Sequence, residues 1–202
     1  GKIYYSGENI EKNYTKANYY FMQAANQNDP ESLFYLGVMN FNGEGVQRDT
    51  EKAIQYLKHS ANLGCNFAQC TLWKLYYNGP LELKDINNAK YYLTLAAEQN
   101  LTLAQFLLGS IYYEEIDLKD INLAIHYFTQ AANKNCSSSQ FYLGLIYFKG
   151  LEVPQDIRKS IFYLTLSANK GNAMAQSLLG GIYCDGIYVP RDINKAIAYL
   201  TP

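Results

Sequence analysis

The sequence predicts an all-α fold, an α-solenoid of stacked antiparallel helix pairs repeating every 35–36 residues, on the strength of three observations. The first is self-similarity. Aligned on Gly37, Trp73, Gly109, Gly144 and Gly180, the 202 residues fall into repeats with steps of 36, 36, 35 and 36, and Gly1 lies one step earlier. A fixed period in this range marks a repeat architecture. The second is that the aligned columns alternate between helix-forming and helix-stopping residues. The third is composition. Apolar residues make up 49% of the chain, enough for a sizeable core. A single helix pair buries too little of that surface by itself, so the pairs must stack.

Each repeat opens with a helix, here helix A. Leu143, Ile146 and Tyr147 show its helical spacing. The marker glycine sits in mid-helix despite roughly 1 kcal/mol of lost propensity, which argues that another helix approaches its bare backbone. Three residues later comes a tyrosine (Tyr4, Tyr76, Tyr112, Tyr147, Tyr183), with Asn40 the exception. Three further on, Gly7, Gly43, Gly79, Gly150 and Gly186 are expected to stop helix A as left-handed caps, while Glu115 breaks the column. Asn13, Asp49, Asp85, Asp120, Asp156 and Asp192 are then expected to N-cap helix B.

Helix B carries a small residue (Ala17, Ala53, Ala89, Ala124, Ser160, Ala196), then an aromatic (Tyr20, Tyr56, Tyr92, Tyr127, Tyr163, Tyr199), then a pair of small residues. The small residues leave room for the tyrosines of helix A. Asn- and Gly-containing segments such as Asn62 to Gly64 turn the chain into the next repeat. The expected repeats are 1–30 (partial), 31–66, 67–102, 103–137, 138–173 and 174–202 (partial), forming one solenoid domain that reads as a piece of a longer array. Two repeats depart from the pattern. Trp73 replaces the marker glycine, and the segment Glu115-Ile116-Asp117 lacks one loop residue and both loop glycines, so bending or altered spacing is expected at both.

Composition and motifs also exclude. A net charge of −1 from 17 basic and 18 acidic residues leaves no electrostatic footprint for nucleic acid. No apolar run approaches the ~20 residues that cross a bilayer, so membrane insertion is not expected. Cys65, Cys70, Cys136 and Cys184 have neither disulfide-framework nor zinc spacing, and His59 and His126 occupy different repeat positions, so no metal or cofactor is expected. In FNGEGVQRDTEKA, Gly43-Glu44-Gly45 follows a helix and puts a carboxylate where a phosphate would sit, so it reads as a turn and not a phosphate cradle. No catalytic set can be placed on one face, and no enzymatic activity is expected.

The run Leu36-Gly37, Gly43, Gly45, Val46, Asp49, Lys52, Ala53, Tyr56, Ser60-Ala61 resembles the signature of the Sel-1-like repeat, a relative of the tetratricopeptide repeat. Leu143-Gly144, Tyr147, Gly150, Val153, Asp156, Lys159 and Tyr163 resemble it too, and the resemblance covers essentially the whole chain. It implies a right-handed superhelix whose A helices line the concave face. It also implies a scaffold or adaptor, since members of the family mostly hold other proteins together. Cysteine-rich relatives described as weak penicillin-binding or β-lactamase proteins carry a disulfide in every repeat. Here Cys65 and Cys136 share a register but lie two repeats apart.

On helix A, the residues three before and four after the marker share one stripe. Phe34, Phe41, Tyr77, Phe106, Tyr113, Phe141 and Phe148 fall on it, interleaved with Asn42, Lys74, Asn78, Glu114 and Lys149. These are the candidate partner-binding residues. Aromatic anchors at helical spacing suit a groove that buries a peptide or helical segment of another protein. The same stripe also suits rings packed between adjacent A helices, or inner edges packed with outer edges exposed. The expected function is a non-enzymatic interaction scaffold; the alternative is a regulatory or substrate-docking module of a larger enzyme whose catalytic domain lies outside these residues.

Overall fold

A computed structural model describes residues 1–115 and 118–201. Among the described residues the regular elements are helices: α1 (Lys2–Ser6), α2 (Tyr14–Ala25), α3 (Pro30–Asn42), α4 (Thr50–Asn62), α5 (Asn66–Asn78), α6 (Ile86–Glu98), α7 (Thr102–Glu114), α8 (Ile121–Asn133), α9 (Ser137–Lys149), α10 (Ile157–Ala168), α11 (Ala173–Asp185) and α12 (Ile193–Leu200). A short 3₁₀ turn, Leu81–Leu83, precedes α6. The chain forms two compact units, Gly1–Gln99 and Asn100–Pro202. In each, an odd-numbered A helix packs on the even-numbered B helix that follows it.

Local chemistry sets the helix starts. The side chains of Asn13, Asp49, Asp120, Asp156 and Asp192 each accept the N–H three residues ahead, and Asp85 accepts from both Asn87 and Asn88. Each of these caps also donates its own N–H, at 2.9–3.0 Å, to the carbonyl three residues past the marker, at Tyr4, Asn40, Tyr76, Tyr112, Tyr147 and Tyr183. The start of helix B is thereby anchored to helix A in every repeat.

The helix A stops hold with one correction. Gly7, Gly43, Gly150 and Gly186 adopt the left-handed cap. Gly79 does not; its φ of −72° and ψ of −175° are extended. Pro80 is the reason, because the residue before a proline is driven toward extended backbone. A glycine is still needed there, since a Cβ would collide with the Leu75 carbonyl. The turn from helix B to the next helix A uses a left-handed residue at one repeat position, filled by Asn28, Gly64, Asn100, Asn135 and Gly171. In the second unit these turns are gripped from one repeat to the next. Lys134 Nζ donates to the Asn100 carbonyl at 2.6 Å, and Lys170 Nζ to the Asn135 carbonyl at 2.7 Å.

The marker glycines let the two helices of a pair approach closely. A Cβ on Gly37 would lie 2.6 Å from Leu57, one on Gly109 2.5 Å from Phe128, one on Gly144 2.6 Å from Leu164 and one on Gly180 2.5 Å from Leu200. The tyrosine columns then meet as rings. Tyr76 stacks on Tyr92 at 6.0 Å, Tyr112 on Tyr127 at 5.9 Å, and Tyr147 on Tyr163 and Tyr183 on Tyr199 at 6.1 Å. At Trp73 the Tyr76–Tyr92 stack keeps the distance of the other repeats, and the indole stacks along its own helix on Tyr77, at 6.1 Å and 20°. The expected bend at Ile116 and Asp117 lies outside the described residues.

Candidate functional site

In the first unit, Phe34, Phe41 and Tyr77 are half-buried, while Asn42, Lys74 and Asn78 are exposed. Each ring has a neighbour: Phe34 meets Phe67 at 5.8 Å, Phe41 lies under the Arg48 guanidinium at 5.5 Å, and Tyr77 lies against Trp73. In the second unit, Phe106 and Tyr113 of α7 pack on Phe128 of α8 and Tyr142 of α9, whereas Phe141 is buried and Phe148 half-buried. Glu114 accepts the Tyr142 hydroxyl at 2.8 Å, and Lys149 reaches the Tyr113 hydroxyl at 3.3 Å. The predicted stripe therefore gathers in pairs and small clusters, its aromatic members largely turned inward and its polar members outward.

One cluster escaped the column reading. Phe128 lies flat against Tyr142 at 5.0 Å and 11°, with Tyr113 edge-on to Tyr142 at 5.4 Å. The first unit repeats it with Phe21, Tyr35 and Tyr5: Phe21 on Tyr35 at 4.7 Å and 5°, Tyr5 to Tyr35 at 5.1 Å. A signal was available. Phe21 and Phe128 stand in a helix B column otherwise filled by Leu57, Leu93, Leu164 and Leu200, and Tyr35 and Tyr142 both precede the next marker by two. Each cluster ends in a tyrosine–carboxylate hydrogen bond, from Tyr5 to Glu44 at 2.9 Å and from Tyr142 to Glu114. Burial first, and then the Glu114 hydrogen bond, push the Tyr142 phenol up to about 12. Tyr5 is raised for the same two reasons.

An opening on the helix A face lies in the second unit between α9 and α11. It has a volume of about 600 Å³ and is walled by Phe141, Leu145, Phe148, Met174, Leu178 and Tyr188. Met174 is 59% and Tyr188 44% exposed, so apolar surface is left facing solvent. Gly181 opens the floor: a Cβ there would meet nothing within 4 Å, whereas one on the preceding Gly180 would strike Leu200. In the first unit Lys74 stands at the equivalent of Gly181. Of the predicted residues, only Phe141 and Phe148 belong to this groove. Among the described residues no group of His, Cys, Asp and Glu could hold a metal ion, the four cysteines are free thiols, and no helix is long and apolar enough to cross a membrane.

Comparison with known proteins gives the following. The Sel1 repeat family model matches residues 1–29, 30–65, 74–101, 102–136, 137–172 and 173–201. Among solved structures, c5321, a protective antigen present in uropathogenic Escherichia coli strains and displaying an SLR fold, is 31% identical with a TM-score of 0.72. That match covers 98% of this chain and 43% of the antigen, so the chain spans less than half of that relative's length. A Sel1 repeat protein from Oxalobacter formigenes is 28% identical over 98% of this chain and 82% of its own, with a TM-score of 0.68. An immunity protein from Pseudomonas aeruginosa, 18% identical over 89% of this chain and 68% of its own with a TM-score of 0.50, shares the fold. No curated protein matches the chain significantly.

Proposed function

This chain belongs to the Sel1 repeat family, and from that premise we propose that it is a non-catalytic module that binds a peptide or helical segment of another protein on the A-helix face. Sel1 repeat proteins are generally repeat scaffolds that mediate protein–protein interaction. The observation that carries the finer reading is the α9/α11 groove. It offers Phe148, Met174 and Tyr188 as partly exposed anchors around an unfilled floor at Gly181. Apolar side chains from an amphipathic segment would remove that surface from water, and the ring walls lose little conformational freedom on binding. Exposed polar residues at the edge of the stripe, Asn42, Lys74, Asn78, Glu114 and Lys149, supply hydrogen-bonding rims in the respective units.

The test fills the groove without disturbing the core. Gly181→Leu places a side chain into open space, whereas Tyr113→Ala would excavate the Phe128 cluster and confound folding with binding. A photo-crosslinker at Met174 should trap a partner segment in native extract, and Gly181→Leu should abolish the adduct while keeping the helical content and a melting temperature no lower than that of the wild type. Equal crosslinking by the wild type and Gly181→Leu would remove this groove from the interaction surface.

A further inference from the structure

The ring stack between helices A and B has one gap. Tyr4 faces Tyr20 at 5.6 Å, and the four other complete pairs lie at 5.9–6.1 Å with their planes within 9°. In the second repeat Asn40 stands where the helix A tyrosine should be, opposite Tyr56. The frame around it is intact. The Asp49 N–H donates to the Asn40 carbonyl at 2.9 Å, within the 2.9–3.0 Å of the equivalent bonds to Tyr4, Tyr76, Tyr112, Tyr147 and Tyr183. The asparagine does not fill the vacated space, because its Nδ2 turns back to the Leu36 carbonyl at 2.7 Å. What remains is a cleft of about 650 Å³ whose lining includes Met22, Asn40, Val46, Arg48, Lys52 and Tyr56.

The neighbouring repeats show what such a space accommodates. Lys16, Lys159 and Lys195 each hold an ammonium 5.0–5.4 Å from the helix A ring of their own repeat, at Tyr4, Tyr147 and Tyr183. Lys52, at the same repeat position, has no such ring and sits 5.9 Å from Tyr56 instead. The second repeat therefore keeps the stacking partner and the cation but lacks the helix A ring, and Lys52, now leaning over Tyr56, would swing back over a bound ring as its counterparts do. Tyr56 is held in place by its hydroxyl, which donates to Met22 Sδ at 3.4 Å. Offset stacking and a cation over the opposite face both favour an aromatic ring over an aliphatic group of the same size.

We propose that this cleft is a binding site for a phenol ring, the side chain of a tyrosine carried by a partner protein segment, which takes the place of the missing helix A tyrosine between Tyr56 and Lys52. This site is separate from the α9/α11 groove and does not depend on it. The probes are p-cresol, which is the tyrosine side chain alone, and N-acetyl-tyrosinamide, which adds the flanking peptide groups. Titration of the full chain should move the amide resonances of Asn40, Val46 and Lys52 with millimolar affinity for both probes. Asn40→Tyr should supply the ring internally, raise the melting temperature and weaken both probes at least ~10-fold. Tyr56→Leu should weaken them without filling the cleft, which keeps the test informative if Asn40→Tyr folds poorly. Equal affinity of the wild type and both variants, no response at these amides at saturating p-cresol, or an equal response to cyclohexanol would overturn the site. Binding of p-cresol without N-acetyl-tyrosinamide would overturn a protein-borne ligand.

Discussion

In the first unit the space left by an unusual residue is polar and lies at Asn40, between loop residues, Tyr56 and Met22 of the preceding repeat's helix B. In the second unit it is apolar and lies between successive A helices, at Gly181. Both arise from one shortened side chain, and both units keep the same Phe–Tyr–Tyr cluster. The comparison teaches that the repeat fixes position while the neighbours fix chemistry. A missing ring beside Arg48 and Lys52 leaves a place for a ring under a cation. A missing side chain beside Leu145 and Phe148 leaves a place for an apolar anchor.

The shared cluster can be broken first, with the largest effect. Phe128 is fully buried and Phe21 nearly so, and replacing either with alanine should cost about 3–5 kcal/mol in urea unfolding. Phe128→Leu should cost much less, because leucine fills the same column at Leu57, Leu93 and Leu164. Equal costs for Leu and Ala would show that the second unit uses this ring for something other than filling space.

A smaller pair of effects separates two adjacent glycines of α11. A Cβ on Gly180 would lie 2.5 Å from the side chain of Leu200, which is half-exposed, so Gly180→Ala should lose its helix-propensity gain to the displaced leucine and destabilise by at most about 1 kcal/mol. A Cβ on Gly181 meets nothing, and there Gly181→Ala should stabilise by ~0.5–1 kcal/mol through helix propensity alone. A lower melting temperature for Gly181→Ala would contradict an open groove floor.

These contrasts also show what could be read from residues alone. Helix starts were legible because an Asp cap is local chemistry, satisfied within three residues at Asp49 or Asp156. The column alone does not reveal that Gly79 is extended, because that conformation is set by its neighbour Pro80. Both tyrosine columns were visible, but their mutual stacking was not, since it depends on how each helix is rotated about its axis. The predicted ladder named rings by stripe, whereas the structure sorts Phe106 and Tyr113 into a packed cluster and Phe148 into a groove wall. Gly181 looks like a spare copy of the marker beside it, and its open surroundings are a property of the assembled helices.

The smallest predicted effect compares the two tyrosine–carboxylate bonds through pH. Unfolded tyrosine loses its proton near 10, whereas Tyr142 in the fold is pushed up to about 12, so only the unfolded chain releases that proton as the pH first rises. Proton release then favours unfolding. The stability tied to Tyr142 should be intact below about pH 10 and decline between 10 and 12, with Tyr5 contributing a loss of the same sign in the first unit. Tyr142→Phe keeps the stack on Phe128 but removes the hydrogen bond to the exposed Glu114, costing about 0.5 kcal/mol at neutral pH and flattening the alkaline decline. Absorbance titration at alkaline pH should lose a late-titrating phenol in Tyr142→Phe, and a different one in Tyr5→Phe. An unchanged late phase in either variant would show that the fold in that unit does not hold that phenol neutral.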